Sequence, residues 1–164
     1  MGTASVRTIV ETASAGAANG VSRVLLVEDD LEVAAFVTDI LSDAGYSVAL
    51  AHNAKVASSG AYSADPAQVA VLITDLQLGG NGDGRAVIAA LRHRRPRLPV
   101  VVLTGLSDCD EGADLRGLGG PTVRLHKPFG IDDLLNAVAV AVNGRPEDLL
   151  HKRSRRVVSR TGSA

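Results

Sequence analysis

Five polar residues, each placed after a short apolar run, are the part of this sequence that could do chemistry. In chain order they are Glu28, Asp29, Asp75, Thr104 and Lys127. Carboxylates crowded at one place raise each other's pKa and cost stability, unless a hard cation that prefers oxygen ligands lies among them. The residue types therefore predict one acidic site that binds Mg²⁺ and handles a phosphoryl group.

Each residue type suggests a role at such a site. Asp29 and Asp75 could supply carboxylate ligands to Mg²⁺, and the backbone carbonyl of Gln77 could supply a further oxygen. Lys127 could neutralise one phosphoryl oxygen, and Thr104 could donate a hydrogen bond to another. The Asp75 carboxylate is then placed as a nucleophile that forms an acyl phosphate.

Apolar runs precede these residues and have the length and branching typical of buried strands. The predicted strands are 24–27, 46–51, 69–74, 98–103 and 122–125. Between them, apolar residues recur at helical spacing. The first predicted helix has Val33, Phe36, Val37, Ile40 and Leu41 on one face and is ended by Gly45.

The later helices follow from the same spacing and from a few start signals. They are predicted at 53–60 with Asn53 as the start signal, at 86–94, at 108–118 and at 131–142. We expect Val87, Ile88 and Leu91 to face inward in the third of the five helices. In the last helix the inward stripe is predicted to be Leu134, Leu135, Val138 and Val142.

Apolar strands that alternate with helices predict an α/β fold with a parallel sheet covered on both faces. Right-handed crossovers bring the C-terminal ends of all the strands to one edge of the sheet. Ligands of such folds bind in the crevice at that edge. The five polar residues are therefore expected to lie together.

Composition excludes several other classes of function. Only 2% of the residues are aromatic and the formal net charge is -1, which argues against base-stacking surfaces and against DNA as a partner. The single Cys109 excludes a disulfide framework, and no apolar run approaches the roughly 20 residues that span a bilayer. We therefore expect a cytoplasmic protein with no membrane contact.

The ends of the chain differ in composition from its centre. Residues 1–21 are rich in Ala, Gly, Ser and Thr and are predicted to be a mobile leader. Residues 144–164 form a basic tail, interpreted as a solvated extension, with contact to a partner or to nucleic acid as the alternative. The domain itself is predicted to be 22–143.

Within that range the sequence resembles the receiver domain of two-component response regulators, here apparently a stand-alone one. The matching stretches are RVLLVEDD (23–30), VLITDLQL (71–78), GNGDG (80–84), PVVVLTG (99–105) and HKPF (126–129). The resemblance implies a flavodoxin-like, doubly wound five-stranded parallel sheet of strand order 2-1-3-4-5, with helices on both faces. It also implies a signalling module whose only catalysis is its own phosphotransfer and autodephosphorylation.

The resemblance also assigns roles to residues. Asp75 corresponds to the phosphoacceptor, Thr104 to the switch hydroxyl and Lys127 to the phosphate-binding lysine. Glu28 and Asp29 correspond to the acidic pair, with Asp29 the closer ligand of Mg²⁺ and Glu28 secondary.

The resemblance implies partners as well. The phosphoryl donor would be a histidine of a sensor histidine kinase or of a histidine phosphotransfer protein. A downstream protein target would read the phosphorylated state, and a homodimer is possible. Asp30, which follows the acidic pair, is expected to begin the first helix instead of binding metal.

Three features depart from the family's pattern. Arg124 stands where receivers usually carry an aromatic switch residue; we expect it to pair with Asp108 or Asp110, or to face a partner. Gly79 replaces a common proline four residues after the acceptor, which predicts a more mobile loop. The predicted helix 108–118 is rich in glycine, so we expect it to be unstable.

Three other functions are alternatives to this one. A degenerate receiver, acting as a phosphorylation-independent interaction module, is the alternative that Arg124 keeps open. An aspartyl-phosphate hydrolase would need a second acid where Gln77 stands. A flavin or nucleotide binder would need a phosphate loop after the first strand, where this chain has acids.

Overall fold

The computed structural model of the protein describes residues 22–59, 68–79, 82–106 and 114–143. Its elements in chain order are β1 (Arg23–Val27), α1 (Leu31–Asp43), β2 (Ser47–Ala51), α2 (Ala54–Ser59), β3 (Val69–Asp75), β4 (Gln77–Leu78), β5 (Gly82–Asp83), α3 (Gly84–Arg94), β6 (Val100–Thr104), β7 (Thr122–His126) and α4 (Ile131–Asn143). The predicted leader 1–21, the predicted tail 144–164 and Cys109 lie outside the described residues.

Five of the strands form one parallel sheet in the order β2-β1-β3-β6-β7. When only these five are counted, the order is the predicted 2-1-3-4-5, and the α/β flavodoxin-like fold is confirmed. The two short strands β4 and β5 pair with each other in an antiparallel hairpin directly after β3.

Alternating side chains of the central strands enter two separate core layers, one on each face of the sheet. Leu25 and Leu72 pack in one layer with residues of α2 and α3, including Ala57, Ile88 and Leu91. The second layer contains strand residues together with residues of α1 and α4, namely Val24, Leu26, Val71, Ile73, Val37, Ile40, Leu41, Leu134 and Val138. The prediction of helices on both faces is therefore confirmed.

Two helical residues predicted to face inward are exposed instead. Phe36 is 43% exposed and Val142 is 46% exposed. The sheet-facing sides of α1 and α4 carry small residues at the additional buried positions, Ala34 on α1 and Ala137 and Ala141 on α4. Small side chains let a helix approach the sheet closely, so these alanines complete the buried stripe and leave Phe36 and Val142 at its margin.

The ends of α1 and the start of α2 follow the predicted signals. The Asp30 carboxylate accepts hydrogen bonds from two backbone N–H groups of the first turn of α1, at 2.9 and 3.2 Å. Gly45 has a φ of +88° just after the last turn, where glycine adopts the left-handed conformation without strain. Asn53 Oδ1 accepts from the N–H of Val56 at 2.8 Å and caps α2.

The predicted helix 108–118 is wrong where it can be compared. Residues 107–113 lie outside the described part of the chain, and Asp114–Leu118 forms a turn and no helix. Gly117, Gly119 and Gly120 all have positive φ, between +62° and +82°, which a right-handed helix does not allow. The glycines therefore give the segment that leads into β7 an irregular backbone.

A buried arginine holds the segment that leads into β7 in place. Arg92, on α3, is only 5% exposed, and its Nε and Nη2 donate to the carbonyl of Leu98 at 3.1 and 2.9 Å. Its further acceptors are all in the segment that enters β7, namely the Leu118, Gly119 and Pro121 carbonyls and the Thr122 hydroxyl. Burial lowers the pKa of the Arg92 guanidinium to about 10. The side chain thus ties α3 to the strand whose other end carries Lys127.

Candidate functional site

The C-terminal ends of the sheet strands bring most of the predicted site residues to one edge. β1 ends immediately before Glu28, and β3 ends at Asp75. Asp75 pairs in register with Leu103, so Thr104 lies one residue beyond it on the neighbouring strand. Lys127 follows β7 directly. The parallel topology therefore places these residues at one edge, as the sequence predicts.

Lys127 joins two of the carboxylates. Its Nζ lies 2.6 Å from Oδ2 of Asp75 and 2.9 Å from Oε2 of Glu28. The backbone N–H of Lys127 donates to the carbonyl of Thr104 at 2.8 Å, which extends the pairing of β6 and β7 to this residue. The ammonium group is thereby held between two strand ends that lie 47 positions apart in sequence (28 and 75).

Burial and pairing oppose each other in the titration of this cluster. Glu28 is fully buried, and desolvation raises its pKa although hydrogen bonds from Lys127 and from the N–H of Asp30 oppose the shift. Desolvation alone would lower the pKa of Lys127, but its hydrogen bonds with Asp75 and Glu28 outweigh that effect and raise the pKa. The lysine therefore stays charged at neutral pH.

A third carboxylate completes an oxygen-rich cluster. Glu28, Asp29 and Asp75 each offer one carboxylate oxygen, and these oxygens all lie within 4.8 Å of one another. Glu28 and Asp75 are buried, whereas Asp29 is exposed. Three carboxylates face a single ammonium group, so the cluster keeps an excess of negative charge that a hard divalent cation fits.

Asp29 has a backbone partner that the sequence did not reveal. Its Oδ2 accepts a hydrogen bond from the N–H of Gly79 at 2.8 Å, across 50 positions of sequence. A Cβ at Gly79 would lie 2.7 Å from that same oxygen. The signal in the sequence was the absence of the common proline at position 79, because a proline there would have no N–H to donate.

The segment after β3 folds back tightly on Asp75. The N–H of Gln77 donates to Oδ1 of Asp75 at 2.8 Å, so both oxygens of that carboxylate are held. A Cβ at Gly84 would lie 1.9 Å from the backbone carbonyl oxygen of Asp75, which leaves no room for any side chain. The backbone carbonyl of Gln77 as a metal ligand stays a prediction.

The two predicted switch positions lie on β6 and β7. Thr104 is fully buried, and its Oγ1 accepts a hydrogen bond from the N–H of Leu106 at 2.9 Å. The hydroxyl proton is thus left to donate elsewhere. Arg124 is half-buried on β7, beside Val102 of β6. Asp108 and Asp110 lie outside the described residues, so the ion pair predicted for Arg124 stays a prediction.

An apolar groove of about 480 Å³ opens beside Lys127. It is lined by Glu32, Val33, Phe36, Lys127, Pro128 and Phe129. The rings of Phe36 and Phe129 lie 6.2 Å apart, so they form one apolar wall between α1 and the loop after β7. The Lys127–Pro128 peptide bond in this loop is cis.

Within the described residues, no helix has both the length and the apolar character needed to cross a bilayer.

Comparison with known proteins agrees with this geometry. Residues 24–139 match the family model of the response regulator receiver domain. The chain is 33% identical over 117 residues to the transcriptional regulatory protein HprR of Escherichia coli, covering 71% of this chain and 49% of that protein. It is 29% identical over 120 residues to the DNA-binding transcriptional regulator NtrC of Salmonella typhimurium, covering 73% of this chain and 24% of that one. It thus spans about a quarter to a half of these relatives.

Solved structures show the same fold. A response regulator receiver protein from Sinorhizobium medicae superposes with a TM-score of 0.67 at 23% identity, covering 77% of this chain and 98% of that one. The Vibrio cholerae chemotaxis protein CheY4 superposes with a TM-score of 0.64 at 26% identity, covering 74% and 98%. The family match, the sheet order and the cluster at the strand ends agree, and the chain belongs to the response regulator receiver domain family.

Proposed function

We propose that this chain is a phosphoacceptor of a two-component phosphorelay and that Asp75 is the residue phosphorylated. The observation that carries this proposal is the placement of Lys127 Nζ at 2.6 Å from Asp75 Oδ2, inside a cluster of three carboxylates. A packing role alone does not account for a buried acid and a lysine that meet at the ligand-binding edge of a parallel sheet.

The proposed reaction is transfer of a phosphoryl group from a histidine of a sensor kinase or a phosphotransfer protein. A carboxylate oxygen of Asp75 attacks the phosphorus atom and forms an acyl phosphate. The P–N bond of the phosphohistidine breaks, and its electron pair goes to the imidazole nitrogen, which takes a proton. The protein's main contribution to such a step is positioning and charge stabilisation.

Two further side chains are suited to hold the transferred group. The Lys127 ammonium is already fixed beside Asp75 and can donate to a phosphoryl oxygen as that oxygen arrives. Thr104 accepts a hydrogen bond from the chain and keeps its own hydroxyl proton as a donor for another oxygen. The switch of the partner-binding surface is proposed to start from this change at Thr104.

The cluster also fits Mg²⁺, because all of its side-chain ligand atoms are hard oxygen donors within 4.8 Å of one another. We assign Asp29, Asp75 and the Gln77 carbonyl as the residues that would hold the ion, with Glu28 secondary. When bound, Mg²⁺ would supply positive charge that offsets the carboxylates and the phosphoryl oxygens. Glu28 is better placed to hold Lys127 than to face solvent, since it is fully buried.

The groove beside Lys127 supports a protein as the phosphoryl donor. Phe36 and Phe129 give it an apolar wall, and it reaches the site through Lys127, which lines both. A partner helix laid against this wall would present a histidine to Asp75. A downstream protein that reads the phosphorylated state is the second partner we propose.

The alternative is a degenerate receiver that binds partners without phosphorylation. The unusual Arg124 at the switch position is the observation that favours it. The two functions differ in one measurable way. Under the favoured function, binding to a partner changes with Asp75 phosphorylation; under the alternative, the wild type and the Asp75→Asn variant bind equally with and without a phosphodonor.

Covalent labelling tests the favoured function. The protein is incubated with acetyl phosphate, once with Mg²⁺ and once with a chelator, and the incorporated phosphoryl group is measured with time. We expect labelling with Mg²⁺ and a much slower rate without it. Absence of labelling in both conditions for the folded protein would refute the proposal.

A further inference from the structure

We propose that the backbone N–H of Gly79 is a positioning group for the metal ligand Asp29. This inference rests on the proposed function, because it concerns the Mg²⁺ site. The observation behind it is independent of that function, since the hydrogen bond from Gly79 N to Asp29 Oδ2, at 2.8 Å, is present in the protein alone.

Asp29 differs from the other two carboxylates of the cluster in how it is held. Glu28 and Asp75 are buried and are both fixed by the Lys127 ammonium at 2.9 and 2.6 Å. Asp29 is exposed, and the hydrogen bond from Gly79 is what ties its carboxylate to the rest of the site. An exposed aspartate without such a tie would sample several rotamers.

The hydrogen bond leaves the carboxylate able to bind a cation. An ionised carboxylate has about four lone-pair sites, and the N–H of Gly79 uses one of them. Groups that hydrogen-bond a metal ligand fix its orientation, and their loss typically lowers metal affinity by about 10–100-fold. We therefore assign Gly79 this effect on Mg²⁺ affinity, acting only through Asp29.

A side chain at position 79 would displace the Asp29 carboxylate. A Cβ at Gly79 would lie 2.7 Å from Asp29 Oδ2, closer than side-chain carbons approach other atoms. The φ of Gly79 is not in the left-handed region, so backbone conformation does not require glycine here. What Gly79 provides in this chain is close contact together with a donor: its backbone approaches the Asp29 carboxylate and carries an N–H, which a proline at this position would lack.

Residues 80–81 lie outside the described part of the chain, so the more mobile loop predicted from the replacement of the common proline by Gly79 stays a prediction. The contact with Asp29 gives the hairpin segment after Asp75 a second attachment to the site, beside the bond from the N–H of Gln77 to Asp75 Oδ1 at 2.8 Å. The two N–H groups hold one carboxylate each, and both carboxylates belong to the acidic cluster.

A double-mutant cycle on Mg²⁺ affinity tests the inference. The dissociation constant for Mg²⁺ alone is measured by calorimetry, and by thermal shift for weak binders, in the wild type, Gly79→Pro, Asp29→Ala and the double variant. Gly79→Pro removes the donor and should raise the wild-type dissociation constant by about 10–100-fold. In the Asp29→Ala background it should change the constant by no more than about twofold, the limit of additivity for independent effects.

Gly79→Ala is the second variant, in case the proline prevents folding. It keeps the N–H but places a carbon against Asp29 Oδ2, so it should also weaken Mg²⁺ binding, and only while Asp29 is present. Circular dichroism confirms that each variant is folded.

The outcomes separate this inference from the proposed function. An unchanged affinity in both folded Gly79 variants, or an equal loss in the Asp29→Ala background, would overturn the role of Gly79. If Asp29→Ala and Asp75→Asn also bind Mg²⁺ as the wild type does, the proposed metal site itself fails. If Asp29→Ala and Asp75→Asn lose Mg²⁺ affinity but the two Gly79 variants keep it, the role of Gly79 is refuted and the proposed metal site stands.

Discussion

The Nζ atom of Lys127 lies 2.6 Å from Oδ2 of Asp75, and the same atom lies 2.9 Å from Oε2 of the fully buried Glu28. One ammonium group therefore satisfies two buried acids that come from neighbouring strands. Removing it leaves both without their cation, whereas removing one acid leaves the other still paired. Loss of Lys127 should therefore cost more stability than loss of Glu28.

Lys127→Met should destabilise the protein by about 1–3 kcal/mol, because buried carboxylates lose a charge-assisted partner. The loss stays moderate because 24% of the lysine side chain is exposed and solvent can replace part of the interaction. Urea denaturation without divalent cations measures the change. The double variant Lys127→Met with Glu28→Gln should recover part of the loss; a loss that is the same in both backgrounds would contradict the pairing.

Glu28→Gln should make the Mg²⁺-free protein more stable at neutral pH. Burial raises the folded-state pKa of Glu28 above its ordinary 4.5, so the folded state binds this proton more tightly than the unfolded state. Its stabilising contribution is complete below the unfolded pKa and is lost as pH rises through the folded pKa. The wild type should therefore lose stability relative to the variant across that window, by about 1.4 kcal/mol for each pKa unit of the shift.

Urea denaturation of the two proteins from acidic to neutral pH provides the measurement for Glu28. The difference in unfolding free energy should open as pH rises and then level off. Added Mg²⁺ should stabilise the wild type more than Glu28→Gln, because a ligand that binds the folded state adds more stability the lower its dissociation constant. Parallel pH profiles in the absence of Mg²⁺ would contradict the raised pKa.

Arg92→Met should destabilise the protein by about 2–4 kcal/mol, since several buried carbonyl oxygens lose their donor. The control is Arg97→Met, an exposed arginine just beyond the same helix, which should stay within about 0.5 kcal/mol of the wild type. Thermal and urea unfolding measure both. Equal effects of the two substitutions would show that the hydrogen bonds from Arg92 to the segment that leads into β7 add no stability.

Gly84→Ala should lower stability by about 1–3 kcal/mol and slow phosphorylation, because a Cβ there would lie 1.9 Å from the backbone carbonyl oxygen of Asp75. The control is Gly105→Ala, where a Cβ meets nothing within 4 Å. That control should change stability by less than about 1 kcal/mol. Unfolding curves and the rate of labelling by acetyl phosphate check both variants; an unchanged rate in Gly84→Ala would contradict the tight packing on Asp75.

The sheet and its acidic edge could be predicted because their signals are local. Each buried strand is a short apolar run, and parallel topology then fixes which ends meet. Asp30 as the cap of α1 and the turn at Gly45 follow from the same kind of local chemistry. The meeting of Glu28, Asp75 and Lys127 needed only the strand order and the position of each residue after its strand.

Other features depend on contacts that no local pattern encodes. In the sequence, Arg92 is one of several cations at the basic end of a helix. Its burial depends on hydrogen-bond acceptors in a segment 26 to 30 positions away. The bond between Gly79 and Asp29 likewise joins two loops that only the folded sheet brings together. Phe36 shares the helical spacing of the core residues, and its exposure is decided by how closely the alanines of α1 let the helix approach.

The central claim is that Asp75 accepts a phosphoryl group, and intact mass after incubation with acetyl phosphate and Mg²⁺ tests it most directly. The wild type should gain one phosphoryl group and Asp75→Asn should gain none. Asp30→Asn is the matched control, since asparagine keeps the cap of α1 and the substitution removes a neighbouring acid, and it should be labelled as the wild type is. Equal labelling of Asp75→Asn and the wild type would contradict the assignment.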